Sequence, residues 1–257
     1  MTVLFGRWRI MRGFYQQPRW VQLGVACLLA LSYWGLWLGL LVRLPWWSWF
    51  ALFPLCVCHF MLAMTPWFRW SGVFIYHSAM LRVFALRGGV CDLHTGTVFD
   101  YLAHFGARGW GAVASKKIML SIIEGLLVIG EDIRAGRMPA DTQVQLTSYF
   151  IRPETLERYG FRTARPDAAY WLNSVLSLFN ICLMYSYSKG RLSIPPLLQA
   201  RKAVIEGPAL VAAVPNLRTL MRRLERNCRP EAGLVLAPVL SGWPRAGRTS
   251  VEAIPPR

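Results

Sequence analysis

The stretch VQLGVACLLALSYWGLWLGLLV, residues 21–42, runs for 22 residues without a formal charge. A helix rising about 1.5 Å per residue would make it about 33 Å long, enough to cross a hydrocarbon core of about 30 Å. Directly after it, the 25 residues between Arg43 and Arg69 hold, besides two cysteines, one ionisable side chain, His59, and reach equally far. Trp20 precedes the first run, Trp46, Trp47 and Trp49 open the second, and Trp67 and Trp70 end it. Amphipathic rings collect at such positions, at the level of lipid headgroups. Pro45 suits the first position of the second helix, whereas Pro54 falls inside it and predicts a kink. The two runs therefore read as a transmembrane helical hairpin over residues 21–68. A cleaved signal peptide is the competing reading. Its apolar region would be about 7–15 residues with a small-residue cleavage site behind it, and the first run is too long and too rich in Trp for that.

The arginines orient the hairpin. Arg7, Arg9, Arg12 and Arg19 precede the first run, Arg69, Arg82 and Arg87 follow the second, and the turn holds only Arg43. The positive-inside rule then puts both flanks in the cytoplasm. The expected organisation is a basic cytoplasmic N-terminus (1–20), the hairpin (21–68), a membrane-associated cytoplasmic domain (69–228) and a flexible tail (229–257). The expected location is a bacterial inner (cytoplasmic) membrane, crossed more than once with both termini inside.

Of the net charge of +16, half comes from eight arginines that precede the first acidic residue, Asp92. Near a bilayer each such cation contributes on the order of 1 kcal/mol of attraction to anionic headgroups. Nucleic acid is the other usual partner of a basic chain. It ranks lower here, because no recognition-helix or aromatic RNA-binding pattern is present. The six cysteines make no disulfide framework in a reducing compartment. Cys56, Cys58 and His59 resemble a ligand cluster but fit better as small polarisable residues of a buried helix.

Beyond the hairpin the sequence predicts a mainly α-helical domain with a few short strands, α+β. Apolar spacing predicts a helix over Val73–Leu86 stopped by Gly88-Gly89, a strand over Val90–His94, and a helix from Thr97 to Phe105. The loop Gly106–Gly111 leads into a long helix over Ser115–Arg134. Alternation in Thr142–Ile151 predicts a strand, and Pro153–Tyr159, closed by Gly160, a short helix. Ala168–Ser188 is uncharged, with Asn173, Ser174, Ser177, Asn180 and Met184 on one helical face and Leu172, Val175, Leu176, Phe179, Cys182 and Leu183 on another. That two-sidedness predicts a buried core helix rather than a third span. Pro195–Glu206 reads as a helix broken by Gly207-Pro208. In Asn216–Asn227, Leu217, Leu220, Met221 and Leu224 oppose Arg218, Arg222, Arg223 and Arg226, as in a helix lying in a headgroup layer or on the surface of a domain.

The densest polar stretch runs from Cys91 to His104. With a helix starting near Thr97, Asp100 and His104 lie on one face and His94 returns from the preceding turn. Two histidines and a carboxylate form a recognised set for a divalent metal, or a histidine base oriented by an acid. The same spacing, Thr97-x-x-Asp100, is close to a capping box, in which Asp100 does no more than start a helix. Glu124, within Ser-Ile-Ile-Glu-Gly-Leu-Leu, has no cation three or four residues away, so burial would raise its pKa toward that of a general acid. Gly106, Gly109 and Gly111 before Ser115-Lys116-Lys117 offer free amides, a helix dipole and cations to an anion, an anionic lipid headgroup before a nucleotide.

Two function classes fit. The first is a membrane assembly or interaction protein that holds anionic phospholipid headgroups or partner proteins through Lys116, Lys117, Arg218, Arg222, Arg223 and Arg226. The second is a membrane-bound enzyme acting on a lipid or other amphiphile, metal-dependent through His94, Asp100 and His104, with Glu124, His94 and Asp100 as acid/base groups. The capping box favours the first.

Overall fold

The computed structural model describes residues 13–84, 89–105 and 111–226. Helix α1 spans Arg19–Arg43 and α2 Ser48–Trp70. Both are long and apolar enough to cross a membrane, and they pack against each other. Most of α1 is open to its surroundings: Leu28, Leu31, Trp34, Leu38, Leu41 and Val42 are all exposed. Polar side chains join the two helices. Trp37 Nε1 donates to His59 Nδ1 at 3.1 Å, and His59 Nε2 lies 3.3 Å from the Ser32 hydroxyl, which itself donates to the Leu29 carbonyl. An indole can only donate, so His59 carries its proton on Nε2 and passes it toward Ser32. Tyr33 and Cys56 meet at 3.4 Å beside them. Cys56 and His59 thus serve helix pairing, as polar groups do between apolar helices. Pro54 and Pro66 both sit within a continuous α2.

The remaining described chain is mostly helical around one mixed sheet of six strands in the order β1-β2-β3-β4-β6-β5. These are β1 (Phe74–Tyr76), β2 (Leu81–Phe84), β3 (Val90–Thr95), β4 (Gln143–Ser148), β5 (Arg162–Ala164) and β6 (Arg201–Glu206). The helices are α3 (Val98–Phe105), α4 (Ala112–Arg134), α5 (Pro153–Arg158), α6 (Ala168–Leu176), α7 (Leu178–Lys189) and α8 (Gly207–Arg226). Only β3 and β4 run parallel, and α3 and α4 make the helical crossover that parallel neighbours need. The other pairs are antiparallel.

One face of the sheet packs on α4 and α8. The approach is close: a Cβ on Gly125 of α4 would collide with Leu81 Cδ2, and one on Gly130 would lie 2.8 Å from Val214 Cγ2 of α8. Leu81, Val83, Leu93, Val144, Ile205, Ile123, Leu126, Ile129, Leu210 and Leu217 form the core between them. A second, smaller cluster of Phe14, Phe99 and Ala103, with Val25, Leu29 and Leu62 against it, joins α3 to the helix pair.

The strand Val90–Thr95, the helices Val98–Phe105, Ala112–Arg134 and Pro153–Arg158, and the strand Gln143–Ser148 lie where the sequence places them. Three expectations are corrected. The helix read over Val73–Leu86 is the β1–β2 hairpin, whose turn is latched to α4: the Ser78 hydroxyl donates to the Ser121 carbonyl at 2.6 Å, and Met80 N–H donates to Ser121 Oγ at 2.9 Å. Of the helix read over Pro195–Glu206, only a 3-10 turn at Leu197–Gln199 is helical, and Arg201–Glu206 is strand β6, held between β4 and β5 on its two edges. Cross-strand pairing on both sides overrides the helical propensity of Lys, Ala and Glu. Gly207-Pro208 therefore starts α8, with Gly207 N–H donating to the Thr142 carbonyl at 2.8 Å. The single buried helix read over Ala168–Ser188 is two helices, α6 and α7, bent 79° at Ser177. Ser174, Asn180, Ser186 and Ser188 are buried together with Met184 and Tyr187, whereas Leu172, Val175, Leu178, Phe179 and Leu183 are exposed, as is Asn173. The Gly88 stop, Gly106 and Gly109 of the glycine loop, the basic segment 1–12 and the tail 229–257 lie outside the described residues.

Candidate functional site

The polar stretch closes on itself at the foot of α2. After β3 the chain turns at Gly96, whose N–H donates to the Met80 carbonyl, and where a Cβ would lie 2.8 Å from Asp100 Cβ. Thr97 and Asp100 then cap α3 reciprocally. Thr97 N–H donates to Asp100 Oδ2 at 2.7 Å, and Asp100 N–H reaches the Thr97 hydroxyl at 3.4 Å. That is the capping box, and it satisfies two amides that a helix start leaves bare.

Asp100 does more than cap. It is fully buried, and its carboxylate also accepts from the Thr97 hydroxyl at 3.1 Å, the Tyr76 hydroxyl at 2.8 Å and the Tyr15 hydroxyl at 3.2 Å. Tyr15 comes from the turn before α1 and Tyr76 from β1, so one carboxylate ties three elements that are distant in sequence. Two arginines supply countercharge. The Arg69 guanidinium, at the end of α2, lies 3.9 Å from the centre of the Tyr15 ring and 4.4 Å from that of Tyr76. Arg82 of β2 is buried; its Nε donates to the Thr95 carbonyl at 3.2 Å and its head lies 3.8 Å from the Phe74 ring. The Thr65 hydroxyl of α2 meets Thr97 Oγ1 at 2.9 Å.

Burial governs the electrostatics. It pushes the Tyr15 and Tyr76 phenols up, and the Asp100 charge adds to this. Burial draws Arg82 down against the pull of Tyr76 and Asp100. His104, against the Tyr15 ring, is lowered to about 4 by burial, with Asp100 opposing and Arg69 adding. It is neutral at physiological pH. Arg82 Nη1 and His104 Nε2 meet no hydrogen-bond partner among the described residues.

The expected metal set is not assembled: no group of three His, Cys, Asp or Glu side chains able to hold a metal occurs among the described residues. His94 sits on β3, 3.2 Å from Asp92, with its ring on the edge of Phe84. Asp100 already accepts four hydrogen bonds, and His104, half-buried, lies against the Tyr15 ring. The cause is strand alternation, which puts His94 on the same face as Asp92, opposite the buried Cys91 and Leu93.

Glu124 of α4 is half-buried, and its pKa is raised by burial and then by Glu225 of α8. It faces a like charge and belongs to the α4–α8 seam. At the front of α4, Gly111 N–H donates to the Tyr187 carbonyl at 2.9 Å and the Ser115 hydroxyl to the Ser188 carbonyl at 2.8 Å, so the end of α7 occupies that end of the helix. Lys116 is exposed beside it and Lys117 half-buried. The basic helix is the C-terminal half of α8. Leu217 is buried, Leu220, Met221 and Leu224 pack on the core, Arg218 pairs with Glu131, and Arg222, Arg223 and Arg226 are exposed.

Sequence reading missed Tyr15, Thr65, Arg69, Tyr76 and Arg82, because nothing local connects them to Asp100. The fold and this cluster define a class of protein: a mostly helical chain with a small mixed sheet, locked by a buried carboxylate to two helices of membrane-spanning length. No family model, curated protein or solved structure matches the chain.

Proposed function

We propose that the protein is an integral membrane assembly or interaction protein of a bacterial inner membrane. In this reading α1 and α2 form a transmembrane hairpin, both termini are cytoplasmic, and the domain lies against the bilayer, holding anionic phospholipid headgroups or partner proteins. The observation that carries it is the disposition of α8. Its apolar face is taken up by the core, which leaves Arg222, Arg223 and Arg226 exposed. Such a row attracts acidic headgroups or an acidic protein surface, each cation adding on the order of 1 kcal/mol near a charged bilayer.

The enzyme alternative draws less support. The residues with the most chemistry to offer, Asp100 and His104, are engaged in tying α3 to Tyr15, Tyr76 and α2.

The test is the acidic phospholipid retained by the full-length protein after detergent purification. Replacing Arg222, Arg223 and Arg226 together with Gln should lower retained phosphatidylglycerol relative to phosphatidylethanolamine and leave the melting temperature unchanged. Equal retention by the variant and the parent would remove α8 as the lipid-binding face.

A further inference from the structure

The outward apolar face of α6 and α7 is the reverse of what a domain surface requires. Leu172 and Val175 are each 64% exposed and Phe179 44%, while Ser174, Asn180, Ser186 and Ser188 are buried. Water would favour the opposite arrangement; lipid favours this one. Both helices pack against α2, so their outer face continues the surface of a helix long and apolar enough to span a membrane.

The chain beyond α7 keeps the same character. Leu192, Ile194 and Leu198 are highly exposed in the return to β6. No acidic residue occurs between Asp167 and Glu206, whereas Lys189, Arg191, Arg201 and Lys202 do. Apolar side chains bordered by cations suit the boundary between acyl chains and acidic headgroups.

Both ends of the excursion are pinned together. Asp167 caps α6 by accepting from Tyr170 N–H at 2.9 Å, and its other oxygen lies 3.5 Å from Lys202 Nζ, at the start of β6. With 9 and 12 residues, α6 and α7 are only about 14 and 18 Å long, and their 79° bend keeps either from completing a crossing of about 30 Å.

We propose that Ala168–Ala200 is a re-entrant membrane element: α6, α7 and the Leu192–Leu198 return dip into the lipid beside α2 and come back to the side they left. Their occupant is the acyl region of the bilayer, with Lys189 and Arg191 at its headgroups. The proposal rests on the reading of α2 as a membrane span.

The test uses the full chain in vesicles of phosphatidylethanolamine and phosphatidylglycerol, with trifluoromethyl-phenylalanine encoded at one exposed position at a time. Fluorine relaxation by dissolved oxygen, which concentrates in lipid, is compared with relaxation by a water-soluble gadolinium chelate. Labels at Val175 and Phe179 should respond to oxygen and lose the chelate effect, as a label at Leu31 in α1 does. A label at Glu154 should show the reverse. Chelate access at Val175 and Phe179 with Leu31 still shielded would overturn the re-entrant element and leave the span reading standing. Chelate access at Leu31 as well would overturn both. A label at Arg191 relaxed only by chelate on the opposite side of the membrane from Glu154 would mean a complete third crossing, and would also refute re-entry.

Discussion

Replacing Asp100 with Ala removes one side chain and leaves four donors facing nothing. The Tyr15 and Tyr76 hydroxyls, the Thr97 hydroxyl and Thr97 N–H all lose the acceptor they share, and buried Arg82 loses a nearby negative charge. The lost cap alone costs about 1 kcal/mol. Each buried donor left without an acceptor adds about 1–3 kcal/mol, and breaking a buried charge pairing from one side costs about 3–5 kcal/mol. These effects share one carboxylate and do not add. About 5 kcal/mol is the expected total, against a domain stability of about 5–15 kcal/mol. Asp100→Asn keeps the shape and one acceptor but turns an amide NH2 toward donors, so it should fall between Ala and wild type. The assay is thermal unfolding in detergent, followed by Trp fluorescence, with limited proteolysis to locate the loosened region. Asp100→Ala should melt well below wild type, with cleavage appearing first near β1 and the turn before α1. A melting curve for Asp100→Ala that overlays wild type would refute the argument that this carboxylate holds the elements together.

Three further outcomes follow from the same geometry. His104 titrates near 6.5 when unfolded and at about 4 when folded, so the unfolded chain takes up the proton first as pH falls. Stability is then highest above about 6.5 and declines by roughly 3 kcal/mol between there and about 4, at about 1.4 kcal/mol per tenfold; His104→Phe should flatten that limb of the stability–pH curve. Glu124 has the opposite sign, since its folded carboxyl titrates above its ordinary range. Glu124→Gln should therefore stabilise the protein progressively as pH rises above about 4.5, in melting curves taken from pH 4 to 8. Gly125→Val would drive a side chain into Leu81 and should cost about 1–3 kcal/mol, as overpacking does; unchanged stability would show that α4 and β2 do not touch as described.

How much of this was legible depended on how local the cause was. The two long apolar helices are written in uninterrupted runs, and the capping box in four adjacent residues, so both could be read directly. The hairpin β1–β2 was not. Phe74, Tyr76, Met80, Leu81 and Phe84 satisfy a helical spacing as well as a strand one, and what selects the strand is distant: the latch of Ser78 and Met80 on Ser121, and pairing with β3. Likewise Lys-Ala-Val-Ile-Glu before Gly207 has helix formers in it, and only neighbours on both edges make it β6. The two-faced pattern of Ala168–Ser188 was visible, but its direction was not, because sequence cannot say whether the apolar side meets protein or something else. The partners of Asp100 were hidden for a related reason: Tyr15 is 85 residues away and Tyr76 is 24. Their types gave a weak clue, since aromatics and arginine at the ends of a span are expected at the interface anyway.

The central claim is that α1 and α2 form a membrane hairpin with the sheet-bearing domain and both ends of the chain on the cytoplasmic side. Its most direct test is a pair of reporter fusions in the same bacterial membrane, one after Arg257 and one between Leu44 and Pro45, using alkaline phosphatase, which is active only outside the cytoplasm. A cytoplasmic C-terminus and an external turn give no activity after Arg257 and strong activity at Leu44–Pro45. Activity after Arg257, with none at the turn, would contradict that claim.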